Sequence, residues 1–488
     1  MAQPYIPPCQ ESRIEAEDCP RAAGREPTVR IQRLTLAACI LASSMAFIDG
    51  SALTVALPQL TRDLGGNIGA VQWVLNGYVL ALAAFTMIGG ALADAYGRAR
   101  MLTWGCIGFA LASLGCALAP GAEMLIAARV LQGLAAAIMT PSSLALIGET
   151  FAKDERARAI GIWAGASALT TASGPVLGGW LTETFSWRAV FWINLPLAAV
   201  AVALLAIVRR PGITDPKPFD IVGAVLLALA LTGIAYGFSV LAPEEGASTQ
   251  ASGLDLSWPV FAGLGAGSAL LGIFLMWEQR IPAPMIPGKI FRSISFSGLN
   301  LSTLLIYAGL SISFFLLPFR LIDELGLSAT RAGMVFLPFT LLVGLLSGYF
   351  GGLADRMGIK PMLIIGPLLA AIGFALFAIN SGFGLVIGVI LPMAVAGLGF
   401  AIIVAPLTSG IMNSVDDQDE GLASGINNTS SRIAQMIGVA LAAAFATMAT
   451  GYAVGMWMAA ILCVAGALVI MATLSGGRQA PLEPSAQT

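Results

Sequence analysis

GALADAYGRARML, residues 90–102, recurs as GGLADRMGIKPML at residues 351–363, an offset of 261. A weaker echo at an offset of 264 pairs Gly161, Ile162, Ser167 and Gly174 with Gly425, Ile426, Ser431 and Gly438. Two unrelated stretches that share nearly one offset point to a duplicated half. Duplicated halves around a midplane cavity, rocked to expose it to alternate sides, are a recognised design for secondary transporters.

What surrounds the two copies sets the solvent. Of 488 residues, 57% are hydrophobic and only 11% charged, against about a quarter charged in ordinary globular chains. Crossing a bilayer takes about 20 mostly apolar residues. Such runs fall near 34–58, 71–93, 101–119, 123–149, 158–183 and 188–208, then near 221–241 and 258–277. The last six fall near 294–318, 330–353, 361–379, 383–410, 422–448 and 452–474, with 383–410 open to a break at Pro392 or Pro406. The expected fold is all-α and integral to the membrane, with fourteen transmembrane helices. They divide into a half at 34–208, two inserted helices within 209–293 and a second half at 294–474. Polar tails at 1–33 and 475–488 flank them, the first expected to be disordered.

The Lys/Arg pattern orients these spans. Arg98 and Arg100, Lys153, Arg156 and Arg158, Arg209, Arg210 and Lys217, Arg280, Lys289 and Arg292, Arg356 and Lys360, and Arg478 all fall on alternate segments with the basic first tail. The opposite set holds only Arg62, Arg188, Arg320 and Arg331. Both termini are therefore expected in the cytoplasm, which requires an even number of spans. The near-zero charge of −2 argues against a nucleic-acid partner. No Cys spacing fits a metal, and with no histidine in the chain a proton relay has to use carboxylates.

Ionisable residues inside apolar runs are functional candidates by default. Asp49 lies in the first run, where a carboxylate costs about 2.5–3.5 kcal/mol on insertion scales, so it should face a cavity or a partner. Desolvation disfavours the charged form of a carboxyl, which suits a reversible proton carrier. The competing reading is an acid that snorkels outward, with Pro58 ending the helix nearby. Arg129, in the fourth run, is the expected counterpart, its fixed charge favouring an ionised neighbour when close; a plain salt bridge is the alternative. Asn427, Ser431 and Gln435 share a helical face, with Asn428 and Arg432 on an adjacent stripe, so this face meets protein or cavity rather than lipid.

The chain resembles the major facilitator superfamily, and within it the fourteen-helix drug/proton antiporters of the EmrB/QacA type. FIDGSALTVALPQL at 47–60, QWVLNGYVL at 72–80 and GALADAYGRARML at 90–102 carry the resemblance. So do LIAARVLQGLAAA at 125–137, SGPVLGGWL at 173–181 and WRAVFWINLP at 187–196. It implies an antiporter that exports lipophilic or amphipathic small molecules across a bacterial cytoplasmic membrane in exchange for protons, with no cofactor and no catalytic residue. A dedicated exporter of one metabolite, lipid or antibiotic, and a nutrient symporter, are the alternatives. Asp49 and Arg129 would couple protons; Ser51 stands where relatives often have Thr. Gly90, Asp94, Gly97, Arg98, Arg100 and Asp355 would form a latch between the halves, or simply tight turns. Gly174, Pro175, Gly178 and Gly179 match the helix-5 motif of antiporters, which uptake symporters usually lack. Trp73, Asn76, Tyr78, Asn300, Asn427, Ser431 and Gln435 are cavity candidates, with helix–helix packing as the competing use. A functional monomer is expected; the sequence does not decide whether a periplasmic adaptor or outer-membrane channel takes over the cargo.

Overall fold

The computed structural model describes residues 29–151, 153–208, 220–239, 258–281, 284, 288–379, 383–415, 420–446 and 450–474. The two tails, apart from 29–33, and the acidic loop at 416–419 lie outside the described residues. The described chain is helical throughout: α1 (Val29–Asp63), α2 (Ile68–Tyr96), α3 (Arg98–Ala117), α4 (Ala122–Thr150), α5 (Lys153–Thr184), α6 (Ala189–Trp192), α7 (Asn194–Val208), α8 (Ile221–Ser239) and α9 (Trp258–Glu278). Then come α10 (Ile294–Phe319), α11 (Ala329–Val335), α12 (Leu337–Met357), α13 (Ile359–Ile379), α14 (Leu391–Met412), α15 (Glu420–Ala446) and α16 (Gly451–Thr473). Among the described residues, 12 spans are long and apolar enough to cross a membrane. Side chains such as Leu345 (75% exposed) and Leu169 (70%) stand outward from these helices, as a lipid-facing surface requires.

Prolines shape the ends of these elements. A proline lacks the N–H that would bond the carbonyl four residues back and crowds that carbonyl. Pro196 accordingly separates α6 from α7, and Pro338 separates α11 from α12, dividing the single run expected at 330–353. Ahead of Pro392 the chain widens into a π-helical turn at Val386–Ile390, whereas Pro406 sits inside α14 without ending it. Pro58 corrects the sequence reading: α1 continues past it to Asp63. The helix also starts at Val29, inside the expected tail, where Gln32 donates to Glu155 at 3.1 Å.

The duplication is written into the packing. In the first half α1 packs on α5 and α7, α2 on α4, and α3 on α4 and α7. In the second, α10 packs on α15 and α16, α12 on α14, and α13 on α14 and α16. The pairs correspond one to one. The helix pair α8–α9 lies outside this scheme and sets α8 against α2 and α15. The repeated sequence makes the same corner in both halves. Gly97 and Gly358 have φ of 95° and 86°, a region that penalises any side chain. Their N–H groups close α2 and α12 on the carbonyls of Ala93 and Ala354 at 3.0 and 2.8 Å.

Candidate functional site

Asp49 is 0% and Arg129 1% exposed, and the two form a direct ion pair between α1 and α4. The sequence expectation that Asp49 needs a cavity or a partner resolves as a partner. An ion pair withdrawn from water holds only where its remaining hydrogen-bonding groups are also met, and here they are. Asp49 Oδ1 accepts from Gln132 Nε2 at 2.9 Å and from Asn194 Nδ2 at 3.4 Å. Arg129 Nε donates to the Val74 carbonyl at 3.0 Å, and Nη1 also donates to Gln132 Oε1 at 2.7 Å. Ser113 Oγ accepts from Gln132 at 2.9 Å and Asn194 at 3.2 Å. The guanidinium lies 4.4 Å from the Tyr78 ring and 5.7 Å from the Phe191 ring, a placement that adds cation–π attraction.

Every member of this network comes from α1, α3, α4, α7 or the facing α2 and α6, all in the first half. Gln132 stood in the sequence only as part of the pattern around Arg129. Ser113 and Asn194 were not anticipated; the signal for Asn194 is an amide inside WRAVFWINLP, for Ser113 there is none. Chemically, the arrangement cancels two charges in a sealed site. Without the Asp49 charge the Arg129 charge would stand uncancelled in a site closed to solvent.

The Gly174–Gly179 stretch packs directly beside this site. A Cβ at Gly174 would stand 1.8 Å from Ser51 Oγ, and one at Gly178 2.2 Å from the Ala52 carbonyl oxygen. These two glycines thus let α5 press against α1 within one turn of Asp49. Gly179 faces the other way: its Cβ would meet the Ala329 carbonyl oxygen of α11 at 2.2 Å, while Gly333 of α11 sits equally close to the Pro175 carbonyl oxygen. One short motif therefore touches α1 in its own half and α11 in the other. At the same end of α5, Glu183 accepts from the Thr330 N–H at 3.0 Å. Arg62 and Asp323, both exposed, form an ion pair across the halves there.

The remaining candidates divide. Arg98 donates to the Ala145 carbonyl at 3.0 Å and lies 3.8 Å from Glu149, which ties the corner after α2 to the end of α4; Arg100 is exposed. Close backbone approach belongs to Gly89, whose Cβ would fall 2.1 Å from the Ala137 carbonyl oxygen, and not to Gly90, where the nearest contact is an ordinary 3.6 Å. The side chains of Asp94 and Asp355 lie outside the described residues. Trp73 packs with Leu227, Leu231, Phe274 and Met436 at the seam with α8 and α9. Asn76 is buried, and its amide has no hydrogen-bond partner among the described residues. Asn300 accepts from Asn427 at 3.4 Å and Ser430 at 3.3 Å, Asn427 also donates to Thr303 at 2.8 Å, and together they join α10 to α15. Ser431 donates to its own helix at Asn428, and Gln435 accepts from Arg432 at 3.3 Å.

Known proteins agree with this architecture. The Major Facilitator Superfamily matches residues 39–295 and 299–487. A "Probable actinorhodin transporter" of Streptomyces coelicolor is 33% identical over 86% of this chain and 73% of its own. "Multidrug resistance protein Stp" of Mycobacterium tuberculosis is 31% identical over 84% of this chain and 75% of its own. "Tetracenomycin C resistance and export protein" of Streptomyces glaucescens is 32% identical over 83% and 74%. A crystal structure of the peptide transporter POT in complex with sulfate superposes with a TM-score of 0.67, at 16% identity, over 90% of this chain and 94% of that one, which shows a shared fold. The chain belongs to the major facilitator superfamily, a family of membrane transporters and not of enzymes.

Proposed function

We propose that this protein is a proton-coupled antiporter that exports lipophilic or amphipathic small molecules, a fourteen-span member of the EmrB/QacA type with both termini in the cytoplasm. α5 and α8 supply the two spans beyond the 12 counted by length and apolarity. The observation that carries the reading is the sealed Asp49–Arg129 pair in contact, through Ser51 and Ala52, with the helix-5 glycines that join the two halves. In the proposed cycle a proton from outside neutralises Asp49, the pair separates and the halves rock. Cargo leaves outward as the proton binds, and once the halves have rocked, re-pairing with Arg129 expels the proton inward. Relatives named for multidrug resistance support the broad cargo class. Those named for actinorhodin and tetracenomycin C support a second reading, a dedicated exporter of one antibiotic.

The test is efflux from proteoliposomes with and without an imposed pH gradient. Asp49→Asn keeps the shape of the side chain but cannot carry a proton, so gradient-driven efflux should vanish even when equal amounts of folded, reconstituted protein are compared. Full proton-coupled efflux by that variant overturns the mechanism. A panel of cargoes separates the broad exporter from the dedicated one.

A further inference from the structure

Arg432 is a half-buried cation that the proton site does not use. It lies on α15, the helix that packs on α10 of its own half and on α2 of the other. Its Nε is sealed from solvent and has no hydrogen-bond partner, and its Nη1 reaches a neutral acceptor, Gln435 Oε1, at 3.3 Å. Among the described residues no carboxylate pairs with it. The ionisable groups within its electrostatic reach are two phenols from opposite halves, Tyr78 of α2 and Tyr307 of α10. The amide of Asn427 on the adjacent face is already committed, to Thr303 and Asn300. Tyr307, itself half-buried, is backed edge-on by the buried Phe400 at 6.1 Å, which packs on Phe339 at 5.4 Å.

A guanidinium without a counter-charge is costly inside a membrane protein and marks an ion or substrate path. We propose that Arg432 anchors the acidic group of an aromatic organic anion, a carboxylate or phenolate, whose ring system lies against the half-buried Tyr307 ring. Arginine suits this role because its planar fork donates two parallel hydrogen bonds to an oxyanion. Its charge is fixed at working pH, so the anchor is distinct from the proton carrier. The inference rests on the exporter reading and names its cargo class. It also gives the second half a charge of its own.

The experiment is equilibrium binding to the purified full-length protein in detergent, read by fluorescence anisotropy. The probes are pyrenebutyric acid and its uncharged amide at neutral pH. Wild type should bind the acid about tenfold or more tightly than the amide. Arg432→Gln should remove that preference and leave amide affinity within about twofold, while Arg432→Lys should keep most of it. Equal binding of acid and amide by wild type, or a parallel loss of both in Arg432→Gln, overturns the proposal. If the Gln variant fails to fold, the Lys variant decides: an acid preference retained supports the anchor, and one absent overturns it. Binding needs no gradient, so a failure of proton coupling leaves this result standing, and equal binding leaves the exchange reaction standing.

Discussion

Separating the charges of Asp49 and Arg129 by mutation should cost far more than removing both. In Asp49→Asn the guanidinium stays 1% exposed and keeps only neutral acceptors, the Val74 carbonyl and Gln132 Oε1. The new amide can turn its oxygen to Gln132 Nε2 and Asn194 Nδ2, which both reach Oδ1, but its NH2 then faces the Arg129 Nη1 donor. Breaking one side of a buried pair costs about 3–5 kcal/mol, or roughly two to three and a half orders of magnitude in the folding equilibrium. Arg129→Gln should cost less, because the stranded carboxyl can take up a proton and keep its Gln132 and Asn194 contacts. The double variant Asp49→Asn/Arg129→Gln leaves two neutral amides of similar shape and should recover at least about 2 kcal/mol of the summed loss. Equilibrium unfolding of the four proteins in one detergent measures this directly. Additive losses, with a coupling below about 0.5 kcal/mol, would refute the claim that these groups balance one another. The double variant should also fold yet move cargo without regard to the pH gradient.

The glycines of the helix-5 motif should separate by position. Gly179→Val forces α5 and α11 apart by roughly 1 Å in a close-packed seam, so a reporter in Thr330→Cys should become reactive to a membrane-impermeant maleimide. Gly178→Val acts on α1 within one half and should lower the yield of folded protein instead; identical behaviour of the two would contradict the assignment of their faces. At the repeated corners, Gly97→Ala and Gly358→Ala should each lose about 1–3 kcal/mol from backbone strain. Thermal unfolding should show similar losses in both, and indifference to either change would deny the shared geometry.

The sequence held the helices and the duplication because both depend on local pattern, apolar run length and a repeated glycine corner. It also held Asp49 and Arg129, since a charge in an apolar run is rare enough to stand out. Ser113 and Asn194 were not legible in the same way. Small polar residues are common in membrane helices, and only the convergence of α1, α3, α4 and α7 turns these two into partners of the carboxylate. Trp73 shows the opposite failure: the motif that carries it is readable, but its neighbours come from α8, α9 and α15, whose positions beside α2 no local pattern records. Gly89, which makes the close approach to α4 beside Gly90, did not stand out because a sequence shows that a glycine is present and not which way it faces.

That last point bears on how the two best-read motifs work together. In the sequence Asp49 and the Gly174–Gly179 stretch are separate signals, one for protons and one for the direction of transport. In the fold they share one turn of α1. Ser51, two residues beyond Asp49, donates to the Phe47 carbonyl at 2.8 Å and lies where any side chain at Gly174 would collide with it. Ala52 carries the contact with Gly178, and the next glycine, Gly179, contacts the opposite half. Packed interiors deform by switching between arrangements and not by gradual compression. A turn of α1 that shifts when Asp49 leaves Arg129 therefore has to shift against α5, and α5 against α11. In the proposed cycle this chain of contacts is what makes the charge state of one carboxylate and the closure of the seam between the halves a single variable.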